Sequence, residues 1–185
     1  PGNVTNATGA FTGLVANSYT VTVTDAVGCS ASTTIAITEP TQVVWDSVSQ
    51  MNVSCNAGND GSLQVSASGG TGTITYVLNP GNVSNTTGSY GTLSANTYTI
   101  TATDANTCSI STTITITEPS AIVWGTPTSA NVSCNGGNDG SITISATGGT
   151  PALSYNLMPG NVTNATGAFT TLAQGSYTIT VTDAN

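Results

Sequence analysis

The sequence predicts an all-β chain of tandem immunoglobulin-like β-sandwich modules. Three observations carry this prediction: apolar and polar residues alternate over short stretches, similar sequence returns at a fixed period, and the strand-forming residues Val, Ile, Thr and Tyr are abundant. No stretch has the 3.6-residue period of an amphipathic helix. A prealbumin-like sandwich is the alternative fold.

The repeat is visible by direct comparison. PGNVTNATGAFT occupies residues 1–12 and recurs unchanged at 159–170, and the diverged copy PGNVSNTTGSYG occupies 80–91, so the period is 79. Cys29 and Cys108 have the same spacing. This period is longer than the roughly 20–50 residues of a solenoid unit, and it fits a small autonomous β-domain in tandem.

Module boundaries are predicted where the sequence ITEP closes an alternating stretch, at 37–40 and 116–119. Proline cannot continue a sheet ladder and marks such ends. The chain therefore divides into the C-terminal part of one module at 1–40, a complete module at 41–119, and the N-terminal part of the next at 120–185.

Strands are predicted inside the complete module wherever apolar residues recur at every second position, and turns wherever Gly, Pro, Asn and Asp cluster between them. About seven short strands result, which is the number in an immunoglobulin-like sandwich. Leu93 followed by a short polar segment and Tyr98 resembles the tyrosine corner of such sandwiches, in which the hydroxyl ties down the preceding turn.

Composition excludes several functions. The chain has no Lys, Arg or His and eight acidic residues, so its net charge is −8. Binding to nucleic acid or to an anionic membrane surface needs basic residues. Side-chain acid–base and nucleophilic catalysis lacks most of its usual groups. We therefore expect no enzyme, no cofactor and no nucleic-acid partner.

No apolar run approaches the ~18 residues that would span a bilayer. The chain opens on Pro1 in the middle of a repeat, without a signal peptide, so we expect a segment of a longer protein. A surface solubilised by Thr, Ser and Asn with little charge suggests an extracellular location.

Three segments together are similar to the SprB repeat: VSCNGGNDGSITISATGGTP at 132–151, LAQGSYTITVTDAN at 172–185, and CSISTTITITEP at 108–119. The resemblance covers the whole chain. It implies a very large cell-surface protein of Bacteroidota, export by the type IX secretion system, and a filament of repeats used in adhesion or gliding. It brings no catalytic residues. One departure is Gly72, which stands where the next module has Pro151.

Four cysteines in an exported repeat are expected to be oxidised. Two pairings remain open: Cys55 with Cys108 inside the complete module, or Cys29 with Cys55 and Cys108 with Cys134 across the ITEP boundaries. We favour the bridge inside the module, because a module with two cysteines generally closes on itself. A zinc site is disfavoured, since the chain has neither a CxxC pair nor a histidine.

Asp60 and Asp139 lie in Asn-Asp-Gly sequences, which favour a tight turn before a strand. Calcium is the alternative, with Asp104 as the companion of Asp60. Calcium needs about six oxygen ligands, and the module has few and scattered carboxylates. The turn is therefore the preferred interpretation.

Glycosylation is predicted at three positions. Asp46-Ser47-Val48 fits the Asp-Ser/Thr pattern of Bacteroidota O-glycosylation, which makes Ser47 a candidate acceptor. Asn82 and Asn85 begin Asn-x-Ser/Thr sequons.

The sequence thus predicts a structural segment of an extracellular filament or adhesin stalk, whose partners are neighbouring modules and further copies of the fibre. The alternative is a carbohydrate-binding array, in which loops such as 79–92 contact surface glycans. An exposed aromatic platform would favour this alternative, and Tyr90 and Phe169 are the loop candidates for it. Trp45 and Trp124 follow the boundaries, and each is predicted to fill its own module's core or to pack at the junction with the preceding module.

Overall fold

A computed structural model describes residues 4–185, which form strands and no helix. The first module contributes one antiparallel hairpin of β1 (Asn17–Thr24) and β2 (Ser30–Ile37), closed by a turn at 25–29. The complete module contains β3 (Val44–Met51), β4 (Gly61–Ser68), β5 (Thr75–Asn79), β6 (Val83–Asn85), β7 (Ser89–Leu93), β8 (Asn96–Thr103) and β9 (Ser109–Ile116). The third module contains β10 (Val123–Trp124), β11 (Thr128–Ala130), β12 (Gly140–Thr143), β13 (Ala146–Thr147), β14 (Ser154–Met158), β15 (Val162–Asn164), β16 (Ala168–Leu172) and β17 (Thr178–Thr182).

The complete module is a sandwich of two antiparallel sheets. One sheet has the order β3-β4-β7 and the other β6-β5-β8-β9. In an immunoglobulin constant domain the first, second and fifth strands share one sheet, and the third, sixth and seventh share the other. The module has the same arrangement, with its fourth strand beside the third. The predicted immunoglobulin-like sandwich is confirmed.

Alternation along the strands builds the core. Leu63 and Val65 point inward from one sheet and Leu78, Ile100 and Ile116 from the other, and each is at most 1% exposed. The residues between them, mostly Thr and Ser, lie at the surface. Full burial of each such side chain stabilises the fold by about 1.5–3 kcal/mol. A second core cluster forms in the third module around Tyr155, Leu157 and Phe169.

Equivalent contacts recur in consecutive modules. The Tyr76 hydroxyl accepts the Ala67 amide at 2.9 Å, and the Tyr155 hydroxyl accepts the Ala146 amide at the same distance. Trp45 stacks on Tyr76 with ring centroids 6.3 Å apart, so it packs within its own module.

The predicted tyrosine corner is also confirmed. The Tyr98 hydroxyl donates to the Ser94 carbonyl at 3.1 Å, which pins the turn before β8. The counterparts Tyr19 and Tyr177 make the same bond four residues back, at 2.9 Å each. Within residues 4–185, no helix has the length and apolar character needed to cross a membrane.

Candidate functional site at the junction between modules

The loop between β3 and β4, residues 52–60, is here called the cysteine loop because it carries Cys55. It is anchored to the chain that leaves the module after β9. The Val53 amide donates to the Thr117 carbonyl at 3.0 Å, and the Thr117 amide donates to Asn52 Oδ1 at 3.1 Å. Val53 is buried at 3% exposure. The loop is therefore held at the C-terminal end of the module.

Asp60 closes this loop on itself. Its Oδ1 accepts the Ser54 amide at 3.0 Å, and Asp139 accepts the Ser133 amide at the same distance in the next module. Hydrogen bonds from the Ser54 side chain and backbone lower the pKa of Asp60 below its ordinary value. These contacts support the turn interpretation of the Asn-Asp-Gly sequences.

Glu118 of the ITEP segment clamps the cysteine loop from the outside. Its Oε2 accepts the Ala57 amide at 2.7 Å, and its Oε1 accepts Asn56 Nδ2 at 3.2 Å. Ala57 has a φ of 58°, a left-handed conformation that such a bond helps to hold. In the sequence, ITEP was interpreted only as the end of a module, and the contact of Glu118 with the cysteine loop was not predicted. The available signal was Glu39, which occupies the equivalent position of the preceding repeat.

The opposite end of the module is built around Asp104, in the turn between β8 and β9. One carboxylate oxygen accepts the Thr71 amide at 2.7 Å, and the other accepts the amides of Asn106 and Cys108 at 2.9 and 2.8 Å. The bond from Thr71 is the largest cause of a lowered pKa at Asp104. Asp183 accepts the amide of Thr150 in the same way in the third module, at 2.8 Å.

These two ends meet where the complete module joins the third one. The Ser54 carbonyl in the cysteine loop accepts Asn185 Nδ2 at 2.8 Å and Thr150 Oγ1 at 3.4 Å. Asn185 Nδ2 also donates to Thr150 Oγ1 at 2.9 Å. The loop of one module thus contacts the Asp-Ala-Asn turn of the next, and this set of contacts is the candidate functional site.

The linker between the two modules has almost no free length. Glu118 is held by the cysteine loop, and the Pro119 carbonyl accepts Asn56 Nδ2 at 3.1 Å. The next carbonyl, of Ser120, accepts the Gly149 amide of the third module at 2.8 Å. Proline also fixes its own φ. Consecutive linker residues are therefore bonded first to one module and then to the other.

All four cysteines of the described chain are free and exposed, so neither predicted pairing is formed. Cys108 lies in the turn before β9, whereas Cys55 lies in the loop bonded to the chain just after β9. The eight residues of β9 span about 26 Å, and a disulfide needs Cα atoms within about 7 Å. The structure does not bring Cys55 and Cys108 together. Cys29 lies in a hairpin turn like that of Cys108, and Cys134 lies in a loop like that of Cys55. Each alternative pair, Cys29 with Cys55 and Cys108 with Cys134, therefore also consists of one turn cysteine and one loop cysteine.

Asp60 and Asp104 also lie at opposite ends of their module, so Asp104 is not placed as a calcium companion of Asp60. Their carboxylates accept backbone amides instead. Across residues 4–185, no group of three or more His, Cys, Asp or Glu side chains is arranged to hold a metal ion.

The glycosylation candidates lie on the surface or in turns. Ser47 is exposed, and its hydroxyl is 2.7 Å from that of Ser66 on the neighbouring strand. Asn82 is exposed in the turn between β5 and β6. Asn85 is structural in this geometry, because its amide side chain accepts the Gly88 amide at 2.7 Å and donates to the Ser89 carbonyl at 3.1 Å. Glycosylation at these positions stays a prediction.

Tyr90 and Phe169 do not form the exposed aromatic platform for which they are the sequence candidates. They are 5% and 3% exposed, in strands that pair with β4 and β12. Burial, with a smaller contribution from Tyr76, raises the pKa of Tyr90 above its ordinary value. Gly and Ser around Tyr90 suggested a loop, but the strand pairing turns its ring into the core.

Comparison with known families gives one match. The model of the SprB repeat matches residues 47–83 and again residues 126–162, which are equivalent stretches of consecutive modules. Each match includes the cysteine loop of its module. No curated protein matches the chain. This chain therefore carries two SprB repeats, one in each of its last two modules.

Proposed function

We propose that this chain is a structural segment of an extracellular filament or cell-surface adhesin stalk, which extends and stiffens the fibre. It performs no catalysis in this role. Each module buries one apolar core and presents one end to the next module. Length is gained by repeating the unit.

The observation that carries this proposal is the bonded junction. Glu118, Pro119 and Ser120 are consecutive, and each makes a hydrogen bond to one of the two flanking modules. A flexible linker between independent domains would leave several residues without such partners. The direct contacts of Ser54 with Asn185 further restrict bending.

Composition supports the same role. A chain without Lys, Arg and His has no basic groups for catalysis or for binding polyanions. SprB repeats belong to cell-surface proteins, which supports an extracellular location. Export by the type IX system of Bacteroidota and side-by-side assembly of fibres belong to the same proposal. The carbohydrate-binding alternative has lost its supporting feature, since Tyr90 and Phe169 are buried.

Single-molecule energy transfer tests the stiffness. Cys29 and Cys55 are replaced by serine, and the remaining Cys108 and Cys134 carry the two dyes across the junction. The natural linker is expected to give one narrow distribution of transfer efficiency, and insertion of Gly-Ser-Gly-Ser after Pro119 is expected to broaden it. The same insertion after Gly81, in a turn inside the module, serves as the matched control. A broad distribution with the natural linker would contradict the stalk proposal. Antibody labelling of intact producing cells tests the surface location separately.

A further inference from the structure

The chain enters and leaves the complete module at opposite ends. At the entrance, the Thr41 carbonyl accepts the Gly70 amide at 2.7 Å, and the next residue, Thr71, donates its amide to Asp104. At the exit, Thr117 is bonded to the cysteine loop. Tension along a chain of joined modules therefore pulls the two ends of the module apart along the direction of its strands.

The strands next to these two ends belong to different sheets. The first strand after the entrance, β3, is an edge strand of the sheet β3-β4-β7, and the last strand before the exit, β9, is an edge strand of the sheet β6-β5-β8-β9. These two strands lie side by side. Both begin at the end that carries Asp104 and both end at the cysteine loop, so they run parallel. Tension that enters through β3 and leaves through β9 must cross from one sheet to the other.

Three hydrogen bonds join β3 to β9 where the two strands end. Gln50 Nε2 donates to the Thr115 carbonyl at 2.8 Å. The Val53 amide donates to the Thr117 carbonyl at 3.0 Å, and the Thr117 amide donates to Asn52 Oδ1 at 3.1 Å. This set of three bonds is here called the terminal clamp.

We propose that the terminal clamp is a load-bearing device, which keeps the module folded when the chain is stretched. Tension pulls β3 toward its start and β9 toward its end, so it makes the two strands slide past each other. Sliding strains the three bonds at the same time, whereas peeling would break one bond after another. The inference rests on the proposed stalk role, in which the chain carries tension, and it concerns stretching of a module, not bending at the junction.

Resistance to force differs from equilibrium stability. Forced unfolding is governed by the rate of unfolding, and that rate depends on the interactions that are already lost in the transition state. A hydrogen bond of ordinary strength that breaks at this step changes the unfolding rate by about 2–10-fold. The terminal clamp therefore makes a specific prediction about which bonds control the lifetime of the stretched module.

Single-molecule pulling on the whole chain tests the clamp, and the natural cysteines provide the attachment points. With Cys55 and Cys108 replaced by serine, DNA handles on Cys29 and Cys134 pull the complete module from its two opposite ends. With Cys55 and Cys134 replaced by serine, handles on Cys29 and Cys108 pull it from the entrance end alone, because Cys108 lies in the turn of Asp104. The length change identifies the unfolding of the module, at roughly 3.3–3.6 Å for each residue released.

We expect the first arrangement to require a higher unfolding force than the second at the same pulling speed. In the first arrangement, Gln50→Ala should shorten the lifetime of the module under constant force by about 2–10-fold. In the second arrangement it should leave the lifetime unchanged. Gln64→Ala is the matched control and should leave both lifetimes unchanged, because Gln64 Nε2 donates to the Thr87 carbonyl at 3.2 Å, away from β9.

Equal unfolding forces in the two arrangements would overturn the proposal, as would equal effects of Gln50→Ala and Gln64→Ala in the first arrangement. The comparison of arrangements keeps the clamp residues unchanged, so it decides the matter even where Gln50→Ala does not fold. Energy transfer measures the junction without load. A negative result from pulling therefore leaves the stalk proposal standing, and a broad distribution of transfer efficiency would remove the stalk role without changing these forces.

Discussion

Gly61, at the end of the cysteine loop, allows β4 to approach two other parts of the module. A Cβ atom at this position would lie 2.7 Å from the Leu93 carbonyl oxygen and 2.9 Å from Ile116 Cγ2. The first contact is with backbone that is paired to Gly61 across the sheet, so it cannot easily move away. Gly61→Ala therefore forces the strand β4 away from β7.

Overpacking of this kind costs about 1–3 kcal/mol. Replacing glycine with alanine also restricts the unfolded chain, which offsets about 0.4–1 kcal/mol. We therefore expect Gly61→Ala to lower the free energy of unfolding by roughly 1–2 kcal/mol, or the Tm of the module by several degrees. Urea unfolding followed by Trp45 fluorescence measures this change, with Trp124 replaced by phenylalanine so that the signal reports the complete module alone.

Gly91 provides the matched control, since a Cβ there meets no atom within 4 Å and its φ is not positive. Gly91→Ala should be neutral or slightly stabilising. Equal stability of the two variants would refute the argument from close approach at Gly61.

Three further predictions follow from the described contacts. Glu118→Gln should loosen the cysteine loop, since a neutral amide accepts the Ala57 amide more weakly, and should raise the rate at which Cys55 is alkylated by iodoacetamide. Tyr98→Phe removes the bond to the Ser94 carbonyl and should lower the free energy of unfolding by about 0.5–1.5 kcal/mol, measured by urea unfolding. The pKa of Asp104 is lowered from 3.8 in the folded chain, so its contribution to stability is complete above about pH 4 and is lost as the pH falls through the lower, folded value. Thermal unfolding between pH 7 and pH 2 should show this loss, and Asp104→Asn should reduce the slope.

Each of these predictions has a contrary result. An unchanged alkylation rate at Cys55 would mean that Glu118 does not hold the loop. If Tyr98→Phe unfolds at the same urea concentration as the parent, the hydrogen bond from Tyr98 to Ser94 does not stabilise the fold. If Asp104→Asn loses as much stability in acid as the parent does, other carboxylates cause the loss.

The fold was predictable because its signal is local and repeated. Alternation of Val, Ile and Leu with Thr and Ser determines which face of each strand is buried, and tyrosines such as Tyr98 mark a known corner. Comparing the three copies in the chain also filters out chance patterns. Strand order within each sheet was not predicted, because it depends on long-range pairing that spacing alone does not encode.

The separation of Cys55 and Cys108 has a physical reason of the same kind. Cys55 and Cys108 belong to one module, which made a bridge between them attractive. Each antiparallel strand takes the chain from one end of the sandwich to the other. The end at which a loop lies therefore depends on how many strands precede that loop in the module. Cys55 follows β3 at the C-terminal end, and Cys108 follows β8 at the other.

Glu118 shows a second limit. Its sequence neighbours identify the end of a strand, and nothing near it in sequence indicates that its carboxylate bonds to Asn56 and Ala57, which lie far earlier in the chain. Only the sheet arrangement places the end of β9 beside the loop after β3. A positive φ in a residue other than glycine, such as Ala57, cannot be predicted from the sequence either.

The unusual composition also explains how the modules are joined. With eight acidic residues and no Lys, Arg or His, the side chains cannot form ion pairs across a junction, and every charged side chain repels every other. The contacts between modules are instead hydrogen bonds of Asn185 and Thr150 to a backbone carbonyl, which carry no net charge. Salt screens repulsion between carboxylates and leaves such neutral bonds largely unaffected. A junction of this kind is therefore held as well in salt-rich surroundings as in dilute ones, which is compatible with the proposed role of the chain in an extracellular fibre.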